Sequence, residues 1–512
     1  MTARTVTSVL ARHARNRPGT LAIACAGVGL DYARLRADSI RLARALRAAG
    51  ITEGSRVAYL GKESVHYYSL FFACARIGAV LVPINFRLTA PEVEHIIRDS
   101  GSALVLVEAD TADIAHSAAP EVRAVRLDGD EFAGWLADVA EPEPGERPAR
   151  PDHAVIQLYT SGTTGLPKGV VLAQRSFFAI ADALDEAGLD WLAFRDGDRN
   201  LVGIPGFHVG GIWWAMQGFM AGVTNVAMPR FDSSTAVALI EEARITTMCV
   251  VPSMLRLILG EPRVTPEAVR SVRKVVYGGS PISETLLREA LELFGAEFAQ
   301  IYGLTETGNT AICLPPAEHV AGNPRLAAAG RPYPGVSVRI IDASGAPRAP
   351  GEVGEICLRS PAAMLGYWNL PEATAETLVD GWVHTGDAGY VDADGYLYIR
   401  DRLKDMIIVG GENIYPAEIE NTLARHPAVA DSAVIGVPDD VLGESVHAFV
   451  ACRPGERVRV RELMTFCREH LAWFKIPVRF EFVDRIPRNP SGKILRWQLR
   501  DRFWAERERQ VN

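Results

Sequence analysis

The sequence predicts an α/β protein: a large N-terminal domain of parallel α/β sheets that carries a β subdomain, followed by a small α+β C-terminal domain. Three observations predict it. From Ser55 onward short β-branched runs alternate with amphipathic stretches, after Gly330 the texture turns to strands separated by Gly and Pro, and beyond DRLKD a second α and β alternation begins. At 512 residues the chain also exceeds the length over which one core keeps growing, so two or more domains are expected.

The elements follow in order. At the N-terminus MTARTVTSVLARHARNRPG sets apolar residues at helical spacing between arginines and lacks the apolar core and cleavage pattern of a signal peptide. SRVAYL, SALVLVEA, TTMCVVPS and VRKVVYGG read as strands, and PEVEHIIRDSG and SETLLREALELFG as helices, which implies strand–helix units in a largely parallel sheet. The longest apolar stretch, SLFFACARIGAVLVPI, is broken by Arg76. It falls short of the ~18 residues a membrane span needs, so a soluble protein without a membrane span is expected. Near Glu141, EPEPGERPARPD is an exposed connector. PGVSVRIIDASGAPRAPGEVGEICLRS then predicts a compact subdomain of hairpins, and VDADGYLYI repeats the hairpin signature. VDADG also begins like an EF-hand loop, but the later acidic ligands are missing. Beyond DRLKD, a helix (AEIENTLARH), strands (DSAVIGV, VHAFVAC), a second helix (RELMTFCREHL) and a last strand (VRFEFV) make a unit of about 110 residues, enough for a domain.

Composition narrows the function. The balance of 54 basic and 62 acidic side chains gives a formal charge of -8, with no Lys/Arg run dense enough to follow a phosphate backbone, which argues against nucleic acid as a partner. Seven cysteines (25, 74, 249, 313, 357, 452, 467) lie far apart without a CxxC pair. Their odd number and spacing argue against a disulfide framework or structural zinc and fit a reducing cytoplasm.

The stretch LYTSGTTGLPKGV, from Leu158, packs hydroxyls, glycines and one lysine together. Small residues let backbone N–H groups approach an anion, hydroxyls add donors and the lysine adds charge, so the loop reads as a phosphate holder. It is not a Walker A loop: Gly162 and Gly165 are too close, and Lys168 follows Leu166 and Pro167 rather than the second glycine. Nor is it a plain Ser/Gly linker, since it lies between two apolar strand-like runs, AVIQLY and VVLA.

Four further stretches follow: GIPGFHVGG (203–211), QIYGLTETG (300–308), WVHTGDAGYVDADGYLYIRDRLKDMIIVGGENIYPAEIE (382–420) and PRNPSGKILR (487–496). With the loop, these resemble the ordered core motifs of the AMP-forming adenylating superfamily of acyl-CoA synthetases, peptide-synthetase adenylation domains and beetle luciferases. The resemblance covers essentially the whole chain. It implies ATP, Mg²⁺ and CoA as cofactors, and a reaction in which a carboxylate attacks the α-phosphorus of ATP to give an acyl adenylate. Two anions must meet there, so cations and directed donors are needed where charge gathers.

By resemblance, Thr160, Ser161, Gly162, Thr163, Thr164, Gly165 and Lys168 hold the β- and γ-phosphates. Glu306 and Thr160 would hold Mg²⁺, which takes oxygen ligands from a carboxylate and phosphates, and Thr305 would contact the α-phosphate. Tyr302 is similar to the residue on which adenine stacks, with Gly303 beside it and Gly278, Gly279, Ser280 and Pro281 lining the other side of the base. Asp387 and Arg402 match ribose-binding positions, and Lys493 the mobile catalytic lysine that bridges substrate carboxylate and α-phosphate. The family's C-terminal domain rotates between half-reactions. The implied layout is therefore an N-terminal ATP- and acyl-binding domain at 1–401, a hinge at 402–404 with Lys404 as pivot, and a mobile domain at 405–512. Rotation would bring Gly410 and Gly411 up to admit the pantetheine arm.

His208 matches a residue at the mouth of the acyl pocket that swings with the incoming thiol. Gly210, Gly211, Trp213 and Trp214 would follow on a pocket-lining helix, although aromatics at helical spacing are usually core. Asn309, Thr310 and Ala311 would form the pocket floor. They offer no charged anchor, which favours an apolar or aromatic monocarboxylic acid. The expected activity is an acyl-CoA synthetase. The alternatives are transfer to a carrier-protein thiol, with no carrier domain expected after Asn512, or to nitrite in an ATP-dependent aryl-amine diazotase.

Overall fold

A computed structural model describes residues 4–137, 150–160, 167–280, 282–402, 405–409, 412–439, 443–471, 473–488 and 494–504. Among these residues no helix is long and apolar enough to cross a membrane.

The strand–helix alternation builds two sheets. In the first, strands Arg56–Leu60, Val80–Ile84, Ser102–Val107, Ala124–Arg126 and Ala154–Thr160 pair in parallel. Its far edge turns antiparallel through Lys168–Ala173 and the two-residue strand Gly366–Tyr367. In the second sheet, Thr224–Ala227, Arg199–Val202, Thr247–Val250, Lys274–Gly278 and Glu297–Tyr302 run parallel, and Ile312–Leu314 and then the edge strand Arg331–Pro332 continue it antiparallel. The predicted helices sit where their signals lie. In Ala90–Ser100 the Glu92 carboxylate accepts the Thr89 N–H at 2.8 Å, and in Glu284–Phe294 the Ser283 hydroxyl accepts the Leu286 N–H at 3.3 Å. Both end on left-handed glycines, Gly101 and Gly295.

The long apolar stretch divides into a helix, Val65–Ile77, and a strand, Val80–Ile84, separated by Gly78 at φ 76°. Both elements are buried on nearly every face, which is why their polarity resembles that of a membrane segment.

One pairing has no signal in the sequence. Strand Leu21–Cys25 joins the second sheet in parallel with Thr224–Ala227, through the register Ile23↔Asn225. The region after Gly330 forms antiparallel hairpins, Ser337–Ile341 with Gly354–Arg359 and Trp382–Val391 with Leu397–Arg402. Asp392 closes the second turn by accepting the N–H groups of Asp394 and Tyr396 at 3.0 and 2.8 Å. Further on, Val429–Asp439 and Gly443–Cys452 form a long antiparallel pair, with Arg479–Phe482 added in parallel, and helices Pro416–Leu423 and Val460–His470 pack against their own apolar cluster.

Candidate active site

The hairpin of Ala154–Thr160 and Lys168–Ala173 carries the phosphate-loop motif. Its last register pair is Thr160↔Lys168, which brackets residues 161–167. Ser161, Gly162, Thr163, Thr164 and Gly165 lie outside the described residues, as do Pro281, Lys404, Gly410, Gly411 and Lys493. The described neighbours fix where these segments begin and end. Val409 pairs with Glu412 on either side of Gly410 and Gly411, and an isolated bridge joins Arg488 to Ile494 around Lys493.

Thr305, Glu306 and Thr307 form one turn of 3-10 helix directly after strand Glu297–Tyr302. The Thr307 hydroxyl accepts the Leu304 N–H at 2.8 Å, and Gly308 follows at φ 77°. A Cβ on Gly308 would lie 2.4 Å from the Ala362 carbonyl oxygen, so only glycine lets the two chains approach this closely. The Glu306 backbone carbonyl accepts the Met364 N–H at 2.9 Å. These contacts aim the Glu306 carboxylate at the hairpin. Tyr367 donates its hydroxyl to Glu306 Oε1 at 2.8 Å, and Lys168 Nζ stands 5.1 Å from the centre of the same ring. Tyr367 therefore ties Glu306 to the end of the Thr160–Lys168 hairpin. Among the described residues Glu306 Oε2 has no hydrogen-bond partner. A half-buried carboxylate with one oxygen available, beside the Thr160–Lys168 hairpin end, fits a hard divalent cation that takes oxygen ligands.

A second group lies at the end of the parallel strands. Gly278 pairs with Ile301 across adjacent strands, and its Cβ would lie 2.2 Å from the Ile301 carbonyl oxygen. Gly279 follows at φ 81°, with Ser280 after it. Gly303 is equally confined, 2.5 Å from the Asn309 carbonyl oxygen for an added Cβ. Tyr302, half-buried, donates its hydroxyl to Asp387 Oδ2 at 2.6 Å. Asp387 is itself 5% exposed and held by its N–H, which donates to Thr385 Oγ1 at 3.0 Å. The hairpin register sets Asp387 directly opposite Arg402. Residues more than eighty positions apart in sequence, Tyr302 and Asp387, thus share one hydrogen bond.

His208 caps helix Val209–Ala221 from its N-terminal side. Its Nε2 is buried without a hydrogen-bond partner among the described residues, and its ring lies 4.7 Å from that of Phe207. Burial, reinforced by the charge of Arg87, pushes the imidazole down to about 4, so His208 is neutral at pH 7. Gly210 faces Asn309, whose Oδ1 would lie 3.5 Å from an added Cβ; Asn309 adopts φ 87°, and its Nδ2 has no partner among the described residues.

The AMP-binding enzyme model matches residues 10–368, and the model of the AMP-binding enzyme C-terminal domain matches residues 418–493. The chain belongs to the AMP-binding enzyme family. It is 58% identical to a fatty acid–[acyl-carrier-protein] ligase, ScoC, of Streptomyces coeruleorubidus over 98% of this chain and 96% of that one. It is 40% identical to a feruloyl-CoA synthase of an Amycolatopsis species over 96% and 98% of the two chains. The solved o-succinylbenzoate CoA synthetase of Bacillus subtilis in complex with ATP and magnesium ion superposes with a TM-score of 0.84 at 33% identity, covering 96% of this chain and 98% of that one. The adenylate-forming fold expected from the motifs is therefore the fold of this enzyme.

For this AMP-binding enzyme the structure also places the residues expected around the acyl pocket. Trp213 and Trp214, expected on a pocket-lining helix with core packing as the alternative, are 2% and 1% exposed and belong to the main core, with Trp214 5.1 Å from the Phe194 ring. Gly211 serves close packing, since its Cβ would lie 2.3 Å from the Ile204 and Pro205 carbonyl oxygens. Thr310 is fully buried and donates to the Tyr333 hydroxyl at 3.2 Å, Ala311 is a core residue, and Asn309 faces the helix at Gly210. The helix Val209–Ala221 is buried from Gly211 to Met220, and its one polar side chain, Gln217, donates to the Phe177 carbonyl at 3.2 Å. Trp214→Ala is therefore expected to destabilise the protein by about 3–5 kcal/mol in chemical denaturation. The ranking of acids turned over would stay unchanged. A change of acid preference without loss of stability would return Trp214 to the pocket.

Tyr367 escaped the sequence reading. Its available signal was the GYW triplet of residues 366–368, which carries no known periodicity or spacing rule.

Proposed function

We propose that this enzyme activates an apolar or aromatic monocarboxylic acid with ATP and passes the acyl group to the phosphopantetheine thiol of a carrier protein. The observation that carries the acceptor is the 58% identity, end to end, with a ligase that loads fatty acids onto acyl carrier protein. The 40% identity with a feruloyl-CoA synthase favours CoA as the second reading.

In the first step a carboxylate oxygen attacks the α-phosphorus and pyrophosphate leaves. Residues 160–165 and Lys168 hold the β- and γ-phosphates at the hairpin end, Thr305 contacts the α-phosphate, and Lys493 bridges the two reacting anions. Glu306 and Thr160 hold Mg²⁺, which when bound neutralises charge on the phosphates. Tyr302 offers its face to adenine between Gly303 and residues 278–281, and Asp387, which accepts the Tyr302 hydroxyl, takes a ribose hydroxyl with Arg402 across the hairpin. In the second step a thiol attacks the acyl carbonyl and AMP leaves. The domain after residue 404 turns about Lys404 for this step, Gly410 and Gly411 admit the pantetheine arm, and His208 stands at its entry. Asn309, which faces Gly210 and carries no charge, supports an apolar acid. The free cysteines among the described residues are consistent with a reducing cytoplasm as the compartment.

The deciding experiment is AMP release from ATP and Mg²⁺ over fatty, benzoic and cinnamic acids, each with CoA, with holo-acyl carrier protein, and with neither. Carrier protein is expected to exceed CoA by at least about tenfold in kcat/KM. The reverse ranking would establish an acyl-CoA synthetase. Failure of every acid would move the search to aryl amines with nitrite.

A further inference from the structure

The turn after strand Arg56–Leu60 buries a carboxylate that the reaction above does not use. Glu63 is 6% exposed, and both of its oxygens are engaged. The Tyr68 hydroxyl donates to Oε1, and the Gly206 N–H donates to Oε2 at 2.8 Å. The other side of Gly206 is held as well, because its carbonyl accepts the Tyr67 hydroxyl at 2.8 Å. A Cβ at residue 206 would lie 2.5–2.6 Å from the Tyr67 ring, so glycine is what lets the ring lie against this backbone. Glu63 is anchored in turn: its N–H donates to the Pro229 carbonyl at 3.2 Å, and its own carbonyl accepts the Cys25 thiol at 3.2 Å.

Gly206 stands two residues before His208. The His208 ring has no hydrogen bond at Nε2 among the described residues, so its position depends on packing and on the backbone that carries it. That backbone turns once more where the His208 N–H donates to the Pro205 carbonyl at 3.0 Å. Burying a carboxylate is costly unless its donors are well placed. Burial pushes the Glu63 carboxyl up to about 7, the Glu108 charge adds to this, and the Tyr68 and Gly206 donors oppose it. Such a group is retained at a cost to stability, which calls for a role beyond packing.

We propose that Glu63, together with Tyr67, is a positioning residue for the thiol-transfer step: through the Gly206 peptide it fixes the segment 203–208 and thereby the ring of His208. The inference rests on His208 standing at the thiol entry, as read above.

The test compares wild type, Glu63→Ala, Glu63→Gln and Tyr67→Phe as full-length proteins. Carbethoxylation of His208 by diethyl pyrocarbonate, followed by peptide mass spectrometry at pH 7, reads the ring's position without reference to activity. His208 is expected to be protected in wild type and Glu63→Gln, at least tenfold more reactive in Glu63→Ala, and several-fold more reactive in Tyr67→Phe. The buried His13 and the exposed His116 serve as references for a folded chain. In parallel, Glu63→Ala is expected to slow acyl transfer from supplied acyl adenylate by at least tenfold. ATP–pyrophosphate exchange should stay within threefold, and Glu63→Gln should recover most of the transfer. Should Glu63→Ala fail to fold, which reactive His13 would reveal, Tyr67→Phe decides. Unchanged His208 labelling in the folded variants, or an equal fall of exchange and transfer, overturns the proposal. Absence of exchange in wild type with every acid would overturn the functional reading instead, and the labelling would still decide the clamp.

Discussion

Lys493→Ala is expected to lose ATP–pyrophosphate exchange by about 10³-fold while still forming thioester from supplied acyl adenylate. The first step brings a carboxylate against a triphosphate. A cation between them stabilises the transition state more than either separated anion, and removing one directed donor from such a site costs about 10²–10³ in rate. A bridging charge belongs at the upper end of that range, about 4 kcal/mol. The second step has no such meeting of anions, since the acyl adenylate already carries the carbonyl as a mixed anhydride with AMP, which departs. The ends of the segment that carries Lys493 are firmly set. Arg488 donates to both oxygens of Asp431 at 2.8–3.1 Å, and the Leu495 N–H donates to the Pro487 carbonyl at 2.9 Å. The loss is therefore expected to be one of charge, not of folding. Rapid-quench measurement of the two half-reactions checks it, and a parallel fall of both would remove Lys493 from the role assigned to it.

Glu306→Gln is expected to lower adenylation by about 10²-fold and to raise the Mg²⁺ concentration needed for half-maximal rate. The amide keeps the shape and can still accept the Tyr367 hydroxyl, but it brings no negative charge to a divalent cation. Tyr367→Phe separates the two contributions. It leaves the carboxylate in place and removes the hydroxyl that aims it, while the ring that Lys168 faces remains. A loss of about tenfold or less is expected, partly recovered at high Mg²⁺. Titrating Mg²⁺ at fixed ATP for both variants reads the difference directly. An unchanged Mg²⁺ requirement in Glu306→Gln would mean that the cation is held elsewhere.

How far the site could be read from the sequence depended on how local each signal was. The phosphate loop lies between two β-branched runs, and these became the paired strands that end at Thr160 and Lys168. The turn holding Glu306 follows its strand within a few residues, with Thr307 and Gly308 as visible stop signals. Trp213 and Trp214 went the other way. A helix apolar but for Gln217 has no clear period to mark which side is core, and contacts from Phe194 decided it.

By itself the sequence determined the alternation of strands and helices, the caps that end them, the hairpins after Gly330 and the family of the chain, because each is written within a window of a few residues or in motif order. Only the tertiary structure decided that Leu21–Cys25 would lie beside Thr224–Ala227, and that Gly366–Tyr367 would pair with Val170 and Val171 to carry a hydroxyl to Glu306. It also decided that Asp387 would meet Tyr302 and that Glu63 would hold Gly206. Pairings of this kind are fixed by strand register and close packing between segments far apart in the chain, where a two-residue strand or a single buried carboxylate leaves no local pattern to read.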